Sequence, residues 1–278
     1  MIGLVGLGQM GGAMLRRLRE TGQGVRGYDL DPALREAAGA AAAPSPSAVA
    51  APLVLLSLPH SAAVEAVLGA LLPYMPPGSV IADTSTLEPA AARRFAGMAD
   101  GAGVAYLDAP VSGGPAGAAS GTLAMMVGGS ARGLERVRPS LLLLAARIVH
   151  VGASGAGQVA KLANNLLVAT HLAAAAEALR MAAAAGVPPE AILPVINAAS
   201  GRSAATEVNW PRWIASGSFD SGFSAGLMRK DVRLALGLAG EVAVPLTVCA
   251  AAAALWEGSA VGDAEEFNRV PAAIFGGA

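Results

Sequence analysis

Cysteine is almost missing from this chain of 278 residues. Cys249 stands alone, which excludes an internal disulfide and fits a reducing, cytoplasmic setting. Lysine is nearly as scarce: Lys161 and Lys230 face seventeen arginines. Charged residues make up 14% and the net charge is −1, with no Lys/Arg run dense enough to track nucleic acid. The three histidines, His60, His150 and His171, show no ligand spacing and only one cysteine could join them. No metal is therefore expected, and a zinc-dependent dehydrogenase is disfavoured. No G-x-S-x-G elbow is present to anchor a serine hydrolase. A clean membrane span is lacking too. The longest apolar stretch, Asn165 to Gly186, carries His171, Glu177 and Arg180 and reads as a long buried or interfacial helix. Hydrophobic residues reach 54%, and the excess is mostly alanine, which suits close-packed helices. Strand character begins at the first residues, so no signal peptide is expected ahead of the fold.

What is present begins with Gly6-Leu7-Gly8-Gln9-Met10-Gly11. An apolar run over residues 2–5 suits a buried strand, and Gly12 to Leu18 can start a helix. In the G-x-G-x-x-G spacing the first glycine permits the tight turn. The second lets a pyrophosphate approach bare backbone, and the third lets helix and strand pack closely. The helix start then offers N–H groups and a positive dipole end to phosphate. Val25 to Asp29 reads as a second strand ending in an acid. A carboxylate there accepts the ribose hydroxyls of NAD and repels the extra phosphate of NADP, so NAD is expected in preference to NADP. The plainer alternative is an ordinary tight turn with Asp29 a solvated loop residue.

The length allows two domains and a large core. Short apolar runs at 54–58, 80–83 and 105–108 alternate with helical stretches at 62–72 and 88–101, which predicts a parallel sheet with right-handed crossovers. Residues 125–127 and 148–151 read as the last strands, with a helix over 131–145 between them. From Gly157 the pattern turns helical. One run covers Gln158 to Ala185, stopped by Gly186 with Pro188 and Pro189 beyond, and further helices are expected over 188–199, 230–239 and 245–257. The stretch Ala37–Ala51 reads as a helix end and loop. The expected architecture is an α/β Rossmann-type N-terminal domain, residues 1–152, followed by an all-α C-terminal domain, residues 153–278, joined by a long helix.

Three clusters suggest chemistry. Asp108-Ala-Pro-Val-Ser112-Gly113-Gly114 follows a strand, where open α/β sheets bind ligands, and its serine and backbone N–H groups could hold a carboxylate. Thr122 could close the same pocket; a plain glycine turn is the alternative. Lys161 and Asn165, four apart, share one helix face, while Asn164 is expected to point elsewhere. Lysine can give up its proton in a partly dehydrated site and so serve as general acid and base, a role arginine cannot fill. The alternative is a solvated lysine beside a capping amide. Arg229, Lys230, Asp231 and Arg233 cluster in an apolar region, read first as a solvated helix start. Trp210, Trp213 and Trp256 read as packing or interface residues.

Together these segments resemble the β-hydroxyacid dehydrogenase family: Gly6–Gly11, Asp108–Gly114, Gly155-Ala-Gly-Gln-Val-Ala-Lys161 with Asn164-Asn165, and Lys230-Asp231 stand in the family's order along essentially the whole chain. The resemblance implies a site in the cleft between the two domains, with Lys161 the catalytic lysine. It implies substrate binding by Ser112, Gly113, Gly114 and Asn165, completed by Phe223 and Asp231. It also implies that Lys230 reaches the cofactor, and that Leu58-Pro59 and Ser85-Thr86 line the NAD cleft. Within the family, Ala199-Ser-Gly-Arg-Ser203 and the segment from Gly222 to Asp231 look like the 3-hydroxyisobutyrate dehydrogenases. Those enzymes oxidise a short 3-hydroxy acid to a semialdehyde in valine breakdown. His60-Ser-Ala-Ala63 and the segment Arg202 to Trp213 depart from that pattern, which bears on the substrate and not on the reaction class.

The function expected is thus NAD-dependent oxidation of a short 3-hydroxy acid, with a hydroxy acid or semialdehyde as the small-molecule partner. Tartronate or succinic semialdehyde reduction and serine oxidation are the alternatives within the family. Semialdehyde reductases linked to NADPH carry Asn-Arg where this chain has Tyr28-Asp29. A non-catalytic NAD-binding regulator is the alternative of another class, and retention of Lys161, Asn165 and Asp231 speaks against it. Imine reductases share the architecture but lack the lysine. The alanine- and tryptophan-rich helical part is expected to build a homodimer or homotetramer.

Overall fold

The structure, a computed structural model, describes residues 1–277. Two compact units form: the first runs Met1–Lys161 and the second begins at Leu162. In the first unit, β1 (Ile2–Val5), α1 (Gln9–Glu20), β2 (Val25–Tyr28), α2 (Pro32–Ala38), β3 (Leu53–Leu56), α3 (Ser61–Leu71), β4 (Val80–Asp83), α4 (Pro89–Asp100) and β5 (Ala105–Asp108) alternate as the apolar runs predict. Then come β6 (Val111–Ser112), α5 (Gly114–Ser120), β7 (Leu123–Gly129), α6 (Ala131–Leu141) and β8 (Ala145–Gly152). The strand order is β2-β1-β3-β4-β5-β7-β6, with β8 also paired to β7.

Strand parity assigns residues to the two faces of the sheet, because successive side chains point to opposite sides. Ile2, Leu4, Leu53, Leu55, Val80, Ala82 and Leu107 pack on one face with Met14 and Leu18 of α1 and Leu134 and Leu141 of α6. Val5, Val54, Leu56, Ile81 and Tyr106 pack on the other with Val64 and Leu68 of α3 and Phe95 of α4. Strands covered on both faces read as unbroken apolar runs, which is why they stand out in the sequence. The sheet is parallel through β5. It departs from the fully parallel expectation beyond that: β7 runs antiparallel to β5 and β6, and parallel to β8. β6 and α5 occupy the segment between β5 and β7, so no crossover helix is laid over the sheet there and β7 returns antiparallel.

α7 (Ala156–Ala184) starts in the first unit and ends in the second. It is the one described helix long and apolar enough to cross a membrane by length and composition, although it contains His171, Glu177 and Arg180. Its Leu162, Leu166, Ala169 and Leu172 pack with Met228 and Val232 of α9 (Ala225–Glu241) and Trp256 of α10 (Thr247–Gly258). Trp256 is fully buried and donates its indole N–H to the Ala169 carbonyl at 3.0 Å. Trp210, also buried, meets Phe275 of α11 (Arg269–Gly276) edge to face. α8 (Pro189–Ala198) precedes a π-helix over Ala205–Ala215, an element that the periodicity did not reveal. The first unit is a Rossmann-type α/β fold, the C-terminal part is helical, and a long helix runs from one into the other.

Candidate active site

The chain turns from β1 into α1 through the glycine loop at the point where strand order reverses, between β1 and β3. Gly6 has φ +92°, and a Cβ there would strike the Ser57 carbonyl oxygen just after β3. A Cβ on Gly11 would strike the Gly6 carbonyl oxygen, so helix and loop meet backbone to backbone. Gly8 differs, since no atom lies within 4 Å of the space its Cβ would fill. No side chain caps α1 either, which leaves its first N–H groups to a ligand. Leu7 is buried, while Gln9 is exposed and Met10 half-buried at the mouth of the loop. An open cradle beside an uncapped helix start fits a dinucleotide pyrophosphate.

Asp29 is no free loop residue. Its Oδ2 accepts the Leu7 N–H at 2.6 Å and its Oδ1 accepts the Asp31 N–H at 2.9 Å, which ties the end of β2 to the glycine loop. Each carboxylate oxygen retains a lone pair for a hydroxyl, the arrangement an adenosine ribose needs.

Behind the remaining strand ends lies a buried polar network. Leu58, half-buried beside exposed Pro59, donates its N–H to Ser85 Oγ at 2.9 Å. Ser85 N–H donates to Asp83 Oδ1 at 2.9 Å, and the Tyr106 hydroxyl donates to Asp83 Oδ2 at 2.6 Å. Asp83 is fully buried, which raises its pKa from 3.8 to about 6 against the opposing pull of the Ser85 and Tyr106 bonds. Burial, reinforced by the Asp83 charge, also drives the Tyr106 phenol well above its usual value. Thr86 follows, half-buried.

Asp108, at the end of β5, is equally buried. Its Oδ1 accepts the Gly155 N–H at 2.8 Å and its Oδ2 accepts the Gln158 N–H at 3.0 Å. The carboxylate thereby satisfies orphan amides at the start of α7. Burial raises its pKa while these N–H bonds oppose the shift. Gln158, fully buried, accepts the Leu87 N–H on Oε1 at 3.0 Å and donates Nε2 to the Ser85 carbonyl at 2.8 Å. Lys161 comes three residues later, at 7% exposure. Ser112 ends β6 half-buried, Gly113 is exposed with φ +123°, and Gly114 opens α5. Thr122 is exposed and shares a hydrogen bond of 2.8 Å with Ser120 Oγ.

In the second unit Asn165 and Asp231 are brought together: Asn165 Nδ2 donates to Asp231 Oδ2 at 2.6 Å. Asn164 does not point away, as the helix spacing suggested, because its Nδ2 donates to Asn165 Oδ1 at 3.0 Å. The two contacts fix the orientation of the Asn165 amide. Lys230 Nζ lies 3.4 Å from Asp231 Oδ1. Asp231 and Arg229 are buried, so for these two the reading as a solvated helix start fails, whereas Arg233 is exposed. Arg229 donates to the carbonyls of Trp256, Ser259 and Val261 and pairs with Asp263 at 2.5 Å, which locks the rotation of α9. Phe223 stands edge to face with Phe267, ring centroids 5.4 Å apart.

Residues 1–152 match the NAD-binding domain of 6-phosphogluconate dehydrogenase. Residues 155–269 match the NAD-binding domain of NADP-dependent 3-hydroxyisobutyrate dehydrogenase. The chain belongs to the β-hydroxyacid dehydrogenase family. It is similar to the 2-(hydroxymethyl)glutarate dehydrogenase of Eubacterium barkeri, 40% identical over 92% of this chain and 88% of that protein. It is also similar to the NAD-dependent L-serine dehydrogenase of Pseudomonas aeruginosa, 40% identical over 87% and 85%. The solved structure of Mycobacterium tuberculosis 3-hydroxyisobutyrate dehydrogenase with L-serine superimposes with a TM-score of 0.91 at 36% identity, covering 97% of each chain. As a β-hydroxyacid dehydrogenase the protein is an NAD(P)-dependent oxidoreductase acting on hydroxy acids.

For this family member, sequence reading missed the roles of Asp83, Tyr106, Asp108, Gln158 and Asn164. A glutamine and two aspartates inside otherwise apolar runs were the available signal, because buried polar groups persist only where partners satisfy them. The partners of Asp108 and Gln158, and Tyr106 as a partner of Asp83, lie on distant segments and left no local mark.

Proposed function

We propose that this β-hydroxyacid dehydrogenase oxidises a short 3-hydroxy acid to its semialdehyde, prefers NAD to NADP, and uses Lys161 as general base, or general acid in reverse. The observation that carries this reading is Lys161 itself. One of two lysines in the chain, it sits nearly buried on the same helix face as Asn165. The substrates in the relatives' names, 2-(hydroxymethyl)glutarate, serine and 3-hydroxyisobutyrate, share a CH2OH group one carbon from a carboxylate. They differ in the group on the carbon between, so that group is where substrate choice lies.

In this reading the oxygens of Asp29 hold the adenosine ribose, and the amides of Gly6 to Gly12 hold the pyrophosphate. Leu58, Pro59, Ser85, Thr86 and Lys230 serve the cofactor. Ser112, Gly113 and Gly114 take the substrate carboxylate, with Thr122 and Phe223 bordering the substrate. Asn165, oriented by Asp231, donates to the hydroxyl oxygen. Lys161 Nζ takes the hydroxyl proton as the alcohol carbon loses hydride. The nicotinamide, when bound, supplies the hydride acceptor. Residues 1–152 are the NAD-binding domain and 153–278 the substrate and oligomerisation domain of this proposal. Large exposed apolar side chains such as Met181, Val195 and Val248 favour a homodimer or homotetramer, which light scattering tests. The lone cysteine favours a cytoplasmic site.

L-Serine oxidation is the second reading, favoured by the serine dehydrogenase relative and by L-serine in the similar solved structure. A panel of 3-hydroxy acids including L-serine, with NAD and with NADP, followed at the nicotinamide absorbance, ranks the substrates. Lys161→Ala should lower kcat by about 10²- to 10⁴-fold while NAD affinity changes little. Unchanged turnover removes Lys161 from the mechanism, and no turnover on any panel member favours a non-catalytic NAD-binding regulator.

A further inference from the structure

We infer that Gln158 is a positioning residue, which sets Lys161 against the segment proposed to line the cofactor. The inference rests on the reading of Lys161 given above. Gln158 lies three residues before Lys161 on α7, so both side chains leave the helix on neighbouring faces of one turn. Both side-chain hydrogen bonds run to another segment, and its N–H runs to the helix anchor. Oε1 accepts the Leu87 N–H, Nε2 donates to the Ser85 carbonyl, and its own N–H goes to Asp108. The side-chain amide thus bridges two backbone groups across Thr86, and its donor and acceptor ends match their partners in one orientation only.

The bridge continues beyond the glutamine. Ser85 Oγ receives the Leu58 N–H in a partly buried bond, so the two segments assigned to the cofactor and the turn bearing the lysine hang on one chain of hydrogen bonds. Behind it, Gly157 lies so close to the carbonyls of Asp108 and Met126 that a Cβ would collide with them, which holds the start of α7 against the sheet. Buried polar groups with fully matched partners rigidify a site at the cost of tolerance to change. Hydride transfer depends steeply on sub-ångström placement, so a loosened bridge reduces turnover without abolishing cofactor binding.

Four proteins test this with NAD and the most active panel substrate: wild type, Lys161→Ala, Gln158→Leu and Gln158→Glu. Gln158→Leu should lower kcat about 10- to 100-fold and leave the NAD Kd within about threefold. In the nucleotide-free protein it should speed hydrogen exchange at the Leu87 amide. In Gln158→Glu the new carboxylate still accepts from Leu87 but turns a lone pair on the Ser85 carbonyl, and protonation restores a donor there. Its kcat relative to wild type should therefore rise as pH falls from about 8 to about 5.5. Asp83, Tyr106, Asp108 and Lys161, the titratable groups around this position, are present in both proteins, so the pH dependence of the ratio reports the added carboxylate and its coupling to them. A folded Gln158→Leu with wild-type kcat overturns the inference, as does a Gln158→Glu ratio that is flat with pH. Should Gln158→Leu not fold, the Gln158→Glu ratio decides alone. Full turnover in Lys161→Ala would instead remove the functional reading and the inference with it, whereas loss in Lys161→Ala without loss in Gln158→Leu removes only the inference.

Discussion

Alanine in place of Gly8 should separate cofactor binding from folding. The space its Cβ would enter holds no atom within 4 Å, and φ there is −59°, on the negative side that L-residues occupy. Two small terms act on the nucleotide-free protein. A stiffer unfolded chain favours the alanine variant by about 0.4–1 kcal/mol. The poorer N-cap opposes it by about 0.5–1 kcal/mol. They nearly cancel, so Tm without NAD should move by no more than about 2–4 °C. NAD is another matter, because the methyl group occupies the space where the pyrophosphate is to meet bare backbone. At NAD one hundred times Kd, binding stabilises the wild type by about 2.7 kcal/mol. In a unit of this size that is a rise of roughly 5–11 °C, which Gly8→Ala should largely lose. Gly11→Ala is the control: its Cβ meets the Gly6 carbonyl, so Tm should fall even without nucleotide. Melting curves with and without NAD, plus calorimetric titration, read all three proteins. A Gly8→Ala protein that keeps the full NAD-induced rise would show that the glycine loop is not the phosphate cradle.

Asp83 carries a pKa raised from 3.8 to about 6, so its protonated form favours the folded state below the ordinary carboxyl range and that contribution is lost as pH rises through about 6. The full effect is about 3 kcal/mol, of which about 2 kcal/mol falls between pH 4.5 and 7. Asp83→Asn cannot ionise, so its stability relative to wild type should improve by about 2 kcal/mol over that interval in urea titrations; a constant difference between the two proteins contradicts the assignment. Arg229→Ala strips donors from the carbonyls of Trp256, Ser259 and Val261. Asp263 is largely exposed, so its ion pair adds little and the cost arises from those carbonyls and the lost packing. A loss of about 3 kcal/mol is expected by chemical denaturation, and a loss below about 1 kcal/mol would mean that water replaces the guanidinium.

The glycine spacing, the apolar runs and Asp29 were legible because each acts through its own neighbours in sequence. A strand buried on both faces must be apolar throughout, a tight turn under a strand must be glycine, and residues four apart on a helix must share a face. Lys161 with Asn165 was therefore readable as a pair, and the change from alternating to helical pattern marked where the sheet ends. Local pattern was silent where a side chain is satisfied by a distant backbone group. Nothing near Gln158 announces Leu87 or Ser85, more than seventy residues earlier. Nothing near Arg229 announces that the carbonyls after α10 will bury it, and the spacing of Asn164 gave no hint that it would brace Asn165. The direction of β7 was hidden for the same reason, since an apolar run has the same composition whichever way its neighbour runs. The sequence by itself determined the elements, their buried faces and the chemistry available. Tertiary structure decided which polar groups meet, because desolvation makes each buried donor and acceptor depend on partners that only the folded chain brings within reach.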